Sequence, residues 1–238
     1  MPLTAIALNC SLKKSSGEAS STDAMIAVLK EHLAEQDVEL AETIRIADYN
    51  VPPGVTSNEG EGEGDDWPAI REKILSHDIL VFGGPIWMGQ IGSVAKRVLE
   101  RMDAFTSETD GQGRMPSFGK VAIAAIVGNE DGAHWSSAQL FQSLNDTGWT
   151  IPAGAAFYFF GEAIVSIAFK SLSATPAALP VPAHMFAFHP ALLSSLLSSF
   201  PSPPPPSFPP LPLTLLSLFS SPLSPSTSPS LFSLLSFL

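Results

Sequence analysis

The sequence predicts an α/β domain with a doubly wound parallel sheet, followed by a segment of different character. Short apolar runs alternate with segments of helical periodicity in the order βαβαβαβαβ. This alternation is typical of a parallel sheet whose two faces are both covered by helices. All 35 charged residues, 12 basic and 23 acidic, lie at or before Lys170, so only the first part of the chain has the composition of a folded domain.

The start of the chain predicts two strands separated by a helix. Residues 3–9 form a short apolar run, which indicates a strand buried on both faces. Hydroxyl and carboxylate side chains at 20–23 precede apolar residues at helical spacing and supply N-cap candidates for a helix. Residues 38–46 alternate apolar and charged side chains, which predicts a partly exposed strand at the edge of the sheet.

The next segment predicts a surface loop, a helix and a central strand. Residues 51–66 are rich in proline, glycine and acidic side chains, and we interpret them as a solvated acidic loop. Residues 67–76 have helical spacing, with Pro68 in the first turn, where proline is tolerated. Residues 79–82 are strongly apolar and predict a central strand.

Two further helices and two further strands complete the predicted domain. An apolar stripe with helical spacing predicts a helix that begins after residue 93 and ends near Phe105. Residues 121–127 predict a buried strand, and residues 135–144 predict the next helix. The last strand lies within residues 150–160.

Composition excludes several classes of function. The net charge of −11 argues against a long basic face, so we expect no nucleic-acid partner. Cys10 is the only cysteine, which excludes an internal disulfide framework, and we interpret it as a small apolar residue. Residues 1–9 lack the pattern of a secretory signal or a transit peptide, so we expect a cytoplasmic protein. We predict no membrane span and no metal site.

Three loops follow strands at the same edge of the predicted sheet, where ligands bind in open parallel sheets. The first, residues 10–22, is dense in hydroxyls and precedes a helix N-terminus, which favours a phosphate site. An ordinary serine-rich loop that only caps the helix is the alternative.

The other two loops carry glycines beside aromatic or polar side chains. In residues 83–93, glycines allow a close backbone approach next to Trp87, which suits a flat ring; the alternative is a strained turn whose Trp87 and Met88 cover the core edge. Residues 128–134 are polar and turn-forming, and the alternative there is a helix cap with His134 as a first-turn residue.

Three motifs carry a family resemblance: SLKKSSGEASSTD, GGPIWMGQIGSVAKRVLERMDA and GKVAIAAIVGNEDGAHW. They resemble the flavodoxin-like NAD(P)H-dependent FMN reductase family, including its quinone reductase relatives, over roughly residues 3–162. The resemblance implies a five-stranded sheet of order 2-1-3-4-5 with FMN at the point where the strand order reverses. It places around the phosphate Ser11, Lys13, Ser20, Ser21 and Thr22. It places along the two sides of the ring Pro85, Ile86, Trp87, Met88 and Gly89, and Gly128, Asn129, Glu130, Asp131 and Gly132.

The same resemblance implies a function. The protein would pass electrons from NAD(P)H through FMN to a quinone, free flavin or similar small-molecule acceptor, and His134 would donate a hydrogen bond or proton to an acceptor oxygen. Relatives of this kind are often dimers or tetramers, so a homo-oligomer is one alternative, and the sequence leaves the oligomeric state open. The alternatives are a flavodoxin-type electron carrier or flavin-binding regulator without turnover, and a doubly wound phosphate-sensing module that binds no flavin.

The composition predicts a domain boundary at residue 163. Residues 1–163 form the predicted FMN-binding domain, and residues 164–238 form a low-complexity tail rich in serine, proline and leucine. Its prolines forbid the long final helix that a flavodoxin-like domain needs, so we expect a disordered or loosely collapsed segment. Our hypothesis is that it translates an unspliced intron or a shifted reading frame; a genuine proline-rich interaction tail is the rival.

Overall fold

The computed structural model describes residues 3–58, 60, 63–160 and 168–171. The strands are β1 (Thr4–Asn9), β2 (Glu39–Arg45), β3 (Ile79–Trp87), β4 (Gln90–Ile91), β5 (Val121–Gly128) and β6 (Ala156–Phe160). The helices are α1 (Ser21–Ala34), α2 (Trp67–Leu75), α3 (Ser93–Met102) and α4 (Ala133–Asp146). Short 3-10 turns occupy Ile46–Asp48, Asp103–Thr106 and Phe169–Ser171.

Five parallel strands form the sheet in the order β2-β1-β3-β5-β6. Counted along the chain without the short β4, this order is 2-1-3-4-5, which confirms the predicted flavodoxin-like order. The two-residue β4 was not predicted; it pairs antiparallel with the end of β3, Trp87 opposite Gln90. The strand order reverses between β1 and β3, so the carboxyl ends of these two strands flank the expected ligand crevice.

Both faces of the sheet are covered. On one face, α1 packs Met25, Leu29 and Leu33 against alternate residues of β1, β3 and β5. On the other, α2, α3 and α4 contribute Trp67, Val98 and other apolar side chains to a second core. Cys10, just after β1, is completely buried in that core, and burial raises the pKa of its thiol, in keeping with its interpretation as a small apolar residue.

The strand β3 is longer than the sequence indicates. The prediction ended it at Phe82, but Gly83, Gly84 and Pro85 still pair with β5, and Ile86 and Trp87 pair with β4. Pairing with β1 stops at Gly83. Pro85 therefore has a strand neighbour on one side only, where proline is tolerated.

Other element boundaries moved by a few residues. The helix α4 begins at Ala133, two residues before the predicted start. The last strand, Ala156–Phe160, lies within the predicted range of 150–160, and Thr150 makes only an isolated bridge to Val121.

The prediction of a wholly solvated acidic loop is wrong at Asp65. Its carboxylate pairs with Arg101, whose side chain is completely buried. The same guanidinium donates hydrogen bonds to the carbonyls of Thr56 and Pro52, at 3.0 and 3.2 Å. A lone buried arginine on α3 thus holds this loop, and the charge pattern of the sequence gave no sign of it. The acidic residues at 59 and 61 lie outside the described residues.

The expectations for the tail fall on residues 164–167 and 172–238, outside the described residues. Residues 168–171 come after the predicted boundary, yet Phe169 is buried and its ring lies 5.0 Å from that of Phe159 on the α1 face of the sheet. Across the described part of the chain, no helix is long and apolar enough to cross a membrane.

Candidate functional site

A cavity of about 390 Å³ opens at the carboxyl ends of β1, β3 and β5. Residues from all three predicted loops line it, so the structure brings together what the sequence could only place at a common edge. A fourth segment, after β6, completes the wall. The lining residues are Ser11, Leu12, Lys13, Ser20, Ser21, Thr22, Pro85, Ile86, Trp87, Val127, Gly128, Asn129, Ala168, Phe169 and Lys170.

The end of the cavity beside α1 has the donors of an anion site. Ser11 is 4% exposed, and its Oγ has no hydrogen-bond partner among the described residues. Buried hydroxyls in folded proteins are nearly always bonded, so an unpaired one that lines a cavity fits a missing ligand. Ser21 and Thr22 lie in the first turn of α1, where backbone N–H groups have no acceptor within the helix. These groups fit a phosphate.

Ser20 lines the cavity and also forms the helix cap that the polar residues at 20–23 predict. It is the N-cap of α1: its Oγ accepts a hydrogen bond from the Asp23 N–H at 3.1 Å and donates to the Asp23 carboxylate. Its own N–H donates to Asp23 Oδ2 at 2.8 Å. The backbone N–H and the hydroxyl of Ser20 are thus both bonded within the helix cap. Ser20 shapes the loop, while Ser11, Ser21 and Thr22 keep donors for a ligand.

Two lysines give this end of the cavity a local positive charge. Lys13 and Lys170 both line it, and both pair with Glu18, at 3.6 and 3.0 Å. Hydrogen bonding to Lys170, with the charge of Lys13, keeps the pKa of Glu18 below its usual value. Two cations against one carboxylate leave a net positive charge beside the α1 N-terminus, in a chain whose net charge is −11.

Apolar groups and backbone line the rest of the cavity. Pro85, Ile86 and Trp87 come from the end of β3, and Val127 and Gly128 from the end of β5. A side chain at Gly128 would collide with Ile86, since an added Cβ would lie 2.8 Å from the Ile86 Cβ. Glycine therefore lets the two strand ends come together. Trp87 remains 53% exposed, so one large flat wall faces the cavity opening.

A tight hairpin links the second loop to the third. Met88 and Gly89 both have positive φ, 52° and 76°, as a two-residue turn between β3 and β4 requires. The Met88 N–H donates to Glu130 Oε1 at 2.7 Å. A Cβ at Gly132 would lie 2.5 Å from the Gly89 Cα, so the two loops touch backbone to backbone.

Five residues that were predicted to contact the flavin ring do not line the cavity: Met88, Gly89, Glu130, Asp131 and Gly132. They lie instead where the hairpin packs against the third loop.

His134 also lies outside the cavity lining. Its Nε2 is 2.7 Å from the Tyr158 hydroxyl, and the two rings meet edge to face with centroids 5.0 Å apart. The first turn of α4 directs this side chain toward β6 and away from the β3 and β5 ends. The predicted proton donor is therefore engaged with Tyr158. No group of three or more metal-binding side chains occurs in the described segments.

Sequence reasoning missed the wall that follows β6. Ala168, Phe169 and Lys170 lie beyond the resemblance and within the segment interpreted as tail. One signal was present: Lys170 is the only lysine or arginine after Lys120. A solitary cation in an apolar segment is a candidate for a specific contact.

Comparisons with known proteins find similar sequences over the same part of the chain. The profile of a family described as NADPH-dependent FMN reductase matches residues 3–163. A divalent metal cation transporter from Mycobacterium bovis is 36% identical over 167 residues, which are 68% of this chain and 24% of that protein. An 8-demethyl-8-aminoriboflavin-5'-phosphate synthase from Streptomyces davaonensis is 31% identical over 170 residues, 68% of this chain and 65% of that protein. The chain thus spans less than two thirds of either relative.

Solved structures share the fold. A crystal structure of RosB with bound 8-demethyl-8-formylriboflavin-5'-phosphate has a TM-score of 0.71 and 25% identity, covering 84% of this chain and 81% of that one. The apo form of an NADH:FMN oxidoreductase, EmoB, has a TM-score of 0.53 and 18% identity, covering 84% of this chain and 92% of that one. The second likeness is one of fold alone.

Proposed function

The chain belongs to the NADPH-dependent FMN reductase family, and from this premise we propose that it binds FMN in the cavity and passes electrons from NAD(P)H to a small-molecule acceptor such as a quinone or free flavin. The observation that carries the proposal is the buried, unpaired hydroxyl of Ser11 in a cavity formed by three strand-end loops. When bound, FMN supplies the hydride-accepting and electron-passing chemistry, and the protein supplies binding and orientation.

The α1 end of the cavity would hold the phosphate. The Ser11 hydroxyl and the first-turn N–H groups at Ser21 and Thr22 are the donors, and Lys13 and Lys170 supply charge. In an acidic protein, a phosphate needs such a local concentration of donors, because the overall field repels it.

The β3 and β5 ends would hold the ring. Ile86 and Val127 offer apolar contact, and Gly128 allows backbone groups to approach a flat ligand. Trp87 is half exposed at the cavity opening, where a nicotinamide and then an acceptor would have to enter. His134 is engaged with Tyr158 and does not line the cavity, so we assign the described lining residues to binding and orientation.

A second candidate is modification of the flavin itself. It is favoured by the relative whose name is 8-demethyl-8-aminoriboflavin-5'-phosphate synthase and by the RosB structure with a bound flavin 5'-phosphate derivative. In that case FMN would be a substrate and would be consumed. Chromatography of the flavin after turnover separates the two candidates, since an electron-transfer cofactor is recovered unchanged.

The experiment is steady-state oxidation of NADH and NADPH by the FMN-reconstituted full chain, with and without a soluble quinone. We expect quinone-dependent oxidation with one of the two donors and unchanged FMN at the end. Trp87→Ala should slow turnover, whereas Trp135→Ala should not, because Trp135 is also more than half exposed but does not line the cavity. If the chain binds FMN but oxidises neither NADH nor NADPH, the proposed enzymatic activity is wrong, and an electron carrier or regulator is favoured.

A further inference from the structure

The first turn of α1 contains a negative charge close to the proposed phosphate end. Asp23 is the third residue of the helix, two places after Ser21. Its Oδ2 accepts from the Ser20 N–H at 2.8 Å, and its Oδ1 accepts from Asn9 Nδ2 at 2.5 Å. The carboxylate therefore fixes the cap, but an unbalanced carboxylate there would repel a phosphate dianion.

Arg45, the last residue of edge strand β2, balances this charge. Its guanidinium pairs with Asp23 Oδ2, and its side chain is only 13% exposed. Burial alone would raise the pKa of Asp23, but hydrogen bonds from Ser20 and Arg45 outweigh it and hold that pKa below its usual value. Asp23 is thus a carboxylate whose charge is offset by one largely buried cation.

The same guanidinium also holds the loop before α1. Arg45 Nη1 donates to the Lys13 carbonyl at 3.2 Å. Three residues later, Asp48 Oδ1 accepts a hydrogen bond from the Ser15 N–H at 2.9 Å. Arg45 at the end of the edge strand and Asp48 just after it therefore hold this loop at Lys13 and at Ser15. Of these two loop residues, Lys13 lines the cavity.

We propose that Arg45 is a positioning residue for the 5'-phosphate of bound FMN. It offsets the charge of Asp23 and fixes the Lys13 backbone, so that the first turn of α1 and the Ser11 loop accept a dianion. Arg45 itself does not line the cavity and acts through these two neighbours. The inference rests on the proposed function, and the buried unpaired Ser11 hydroxyl is the independent sign of a ligand at this end.

The test compares FMN with riboflavin, which differ by the phosphate alone. Fluorescence titrations of the full chain give both dissociation constants for the unsubstituted protein, Arg45→Gln, Arg45→Lys and the double variant Asp23→Asn/Arg45→Gln. The matched control is Lys73→Gln. Lys73 pairs with Glu42, which lies on β2 as Arg45 does, but Lys73 does not line the cavity.

We expect Arg45→Gln to raise the FMN dissociation constant by about tenfold and the riboflavin constant by less than about threefold. Arg45→Lys should lose less FMN affinity than Arg45→Gln, because it keeps the positive charge beside Asp23, although one ammonium group does not reproduce both contacts of the guanidinium. The double variant should recover part of the lost FMN affinity, since it removes the uncompensated carboxylate. The control should change neither constant.

Equal loss of FMN and riboflavin affinity in Arg45→Gln would overturn the inference, because it would indicate a purely structural residue. So would unchanged FMN affinity in that variant. If Arg45→Gln does not fold, Arg45→Lys decides: a selective loss of FMN affinity above about tenfold contradicts the charge argument. Failure of the unsubstituted chain to bind FMN at all would instead refute the proposed function.

Discussion

The guanidinium Nη2 of Arg101 lies 2.7 Å from Oδ2 of Asp65, although the two residues are 36 positions apart in the chain. The Arg101 side chain is completely buried and that of Asp65 is 8% exposed. Asp65 also accepts backbone hydrogen bonds from Trp67 and Gly60, both at 2.9 Å. This ion pair fixes the long loop after β2 onto α3.

Asp65→Asn should therefore be strongly destabilising. It leaves the Arg101 charge buried without its counter-ion, and breaking a buried pair in this way costs about 3–5 kcal/mol. Chemical denaturation at neutral pH measures the loss in the free energy of unfolding. Glu42→Gln breaks an exposed pair with Lys73 and should leave that free energy nearly unchanged. Equal stability of Asp65→Asn and the unsubstituted chain would contradict the structural role.

The stabilisation by Asp65 should disappear in acid. Burial alone would raise the pKa of Asp65, but the hydrogen bond and charge of Arg101 outweigh it, so the folded-state pKa is below the usual value. A lowered pKa gives stability that is present above the unfolded value of about 4 and is lost as pH falls through the folded value. The free-energy difference between the unsubstituted chain and Asp65→Asn should thus be constant near neutrality and narrow below about pH 4. A difference that widens in acid would contradict this.

Much of the fold was predictable because each signal was local. The apolar run before Asn9 and the capping pattern at Ser20 depend only on neighbouring residues, and both proved right. The extent of β3 was not predictable in this way. Gly83 and Pro85 disfavour strands locally, and it is pairing with neighbouring strands that keeps them in the sheet, Gly83 with β1 and β5 and Pro85 with β5.

The candidate site was predictable in position but not in detail. The three loops meet because carboxyl ends of parallel strands share one edge. Which side chains face the cavity depends on contacts between loops. His134 turns to Tyr158, and Met88 is held by Glu130, and neither pairing has a signature in the sequence.

Gly128→Ala should weaken both the fold and FMN binding. The added Cβ would lie 2.8 Å from the Ile86 Cβ and push apart the strand ends that line the cavity. Such overpacking costs about 1–3 kcal/mol of stability. Gly111→Ala is the matched control, because no atom lies within 4 Å of its added Cβ. Thermal denaturation and FMN titration measure the two effects, and unchanged values for Gly128→Ala would refute the close approach of β3 and β5.

Lys170→Gln should weaken FMN binding in a salt-dependent way. Removing one of two cations beside the phosphate end should raise the FMN dissociation constant several-fold, by about tenfold at most, and the effect should shrink as salt screens the charge. Titrations at low and high ionic strength measure it. Lys30→Gln removes an exposed lysine of α1 that does not line the cavity and serves as control. Equal effects of the two variants would show that only net charge matters.

Ser11→Ala asks whether the Ser11 end of the cavity holds the phosphate of FMN. Titration of the unsubstituted chain and this variant with FMN and with riboflavin should show an FMN dissociation constant raised by about tenfold and a nearly unchanged riboflavin constant. The ligand-free variant should be no less stable, because the lost hydroxyl has no partner among the described residues. FMN affinity that is unchanged in Ser11→Ala, or no higher than riboflavin affinity in the unsubstituted chain, would show that this end of the cavity does not hold the phosphate.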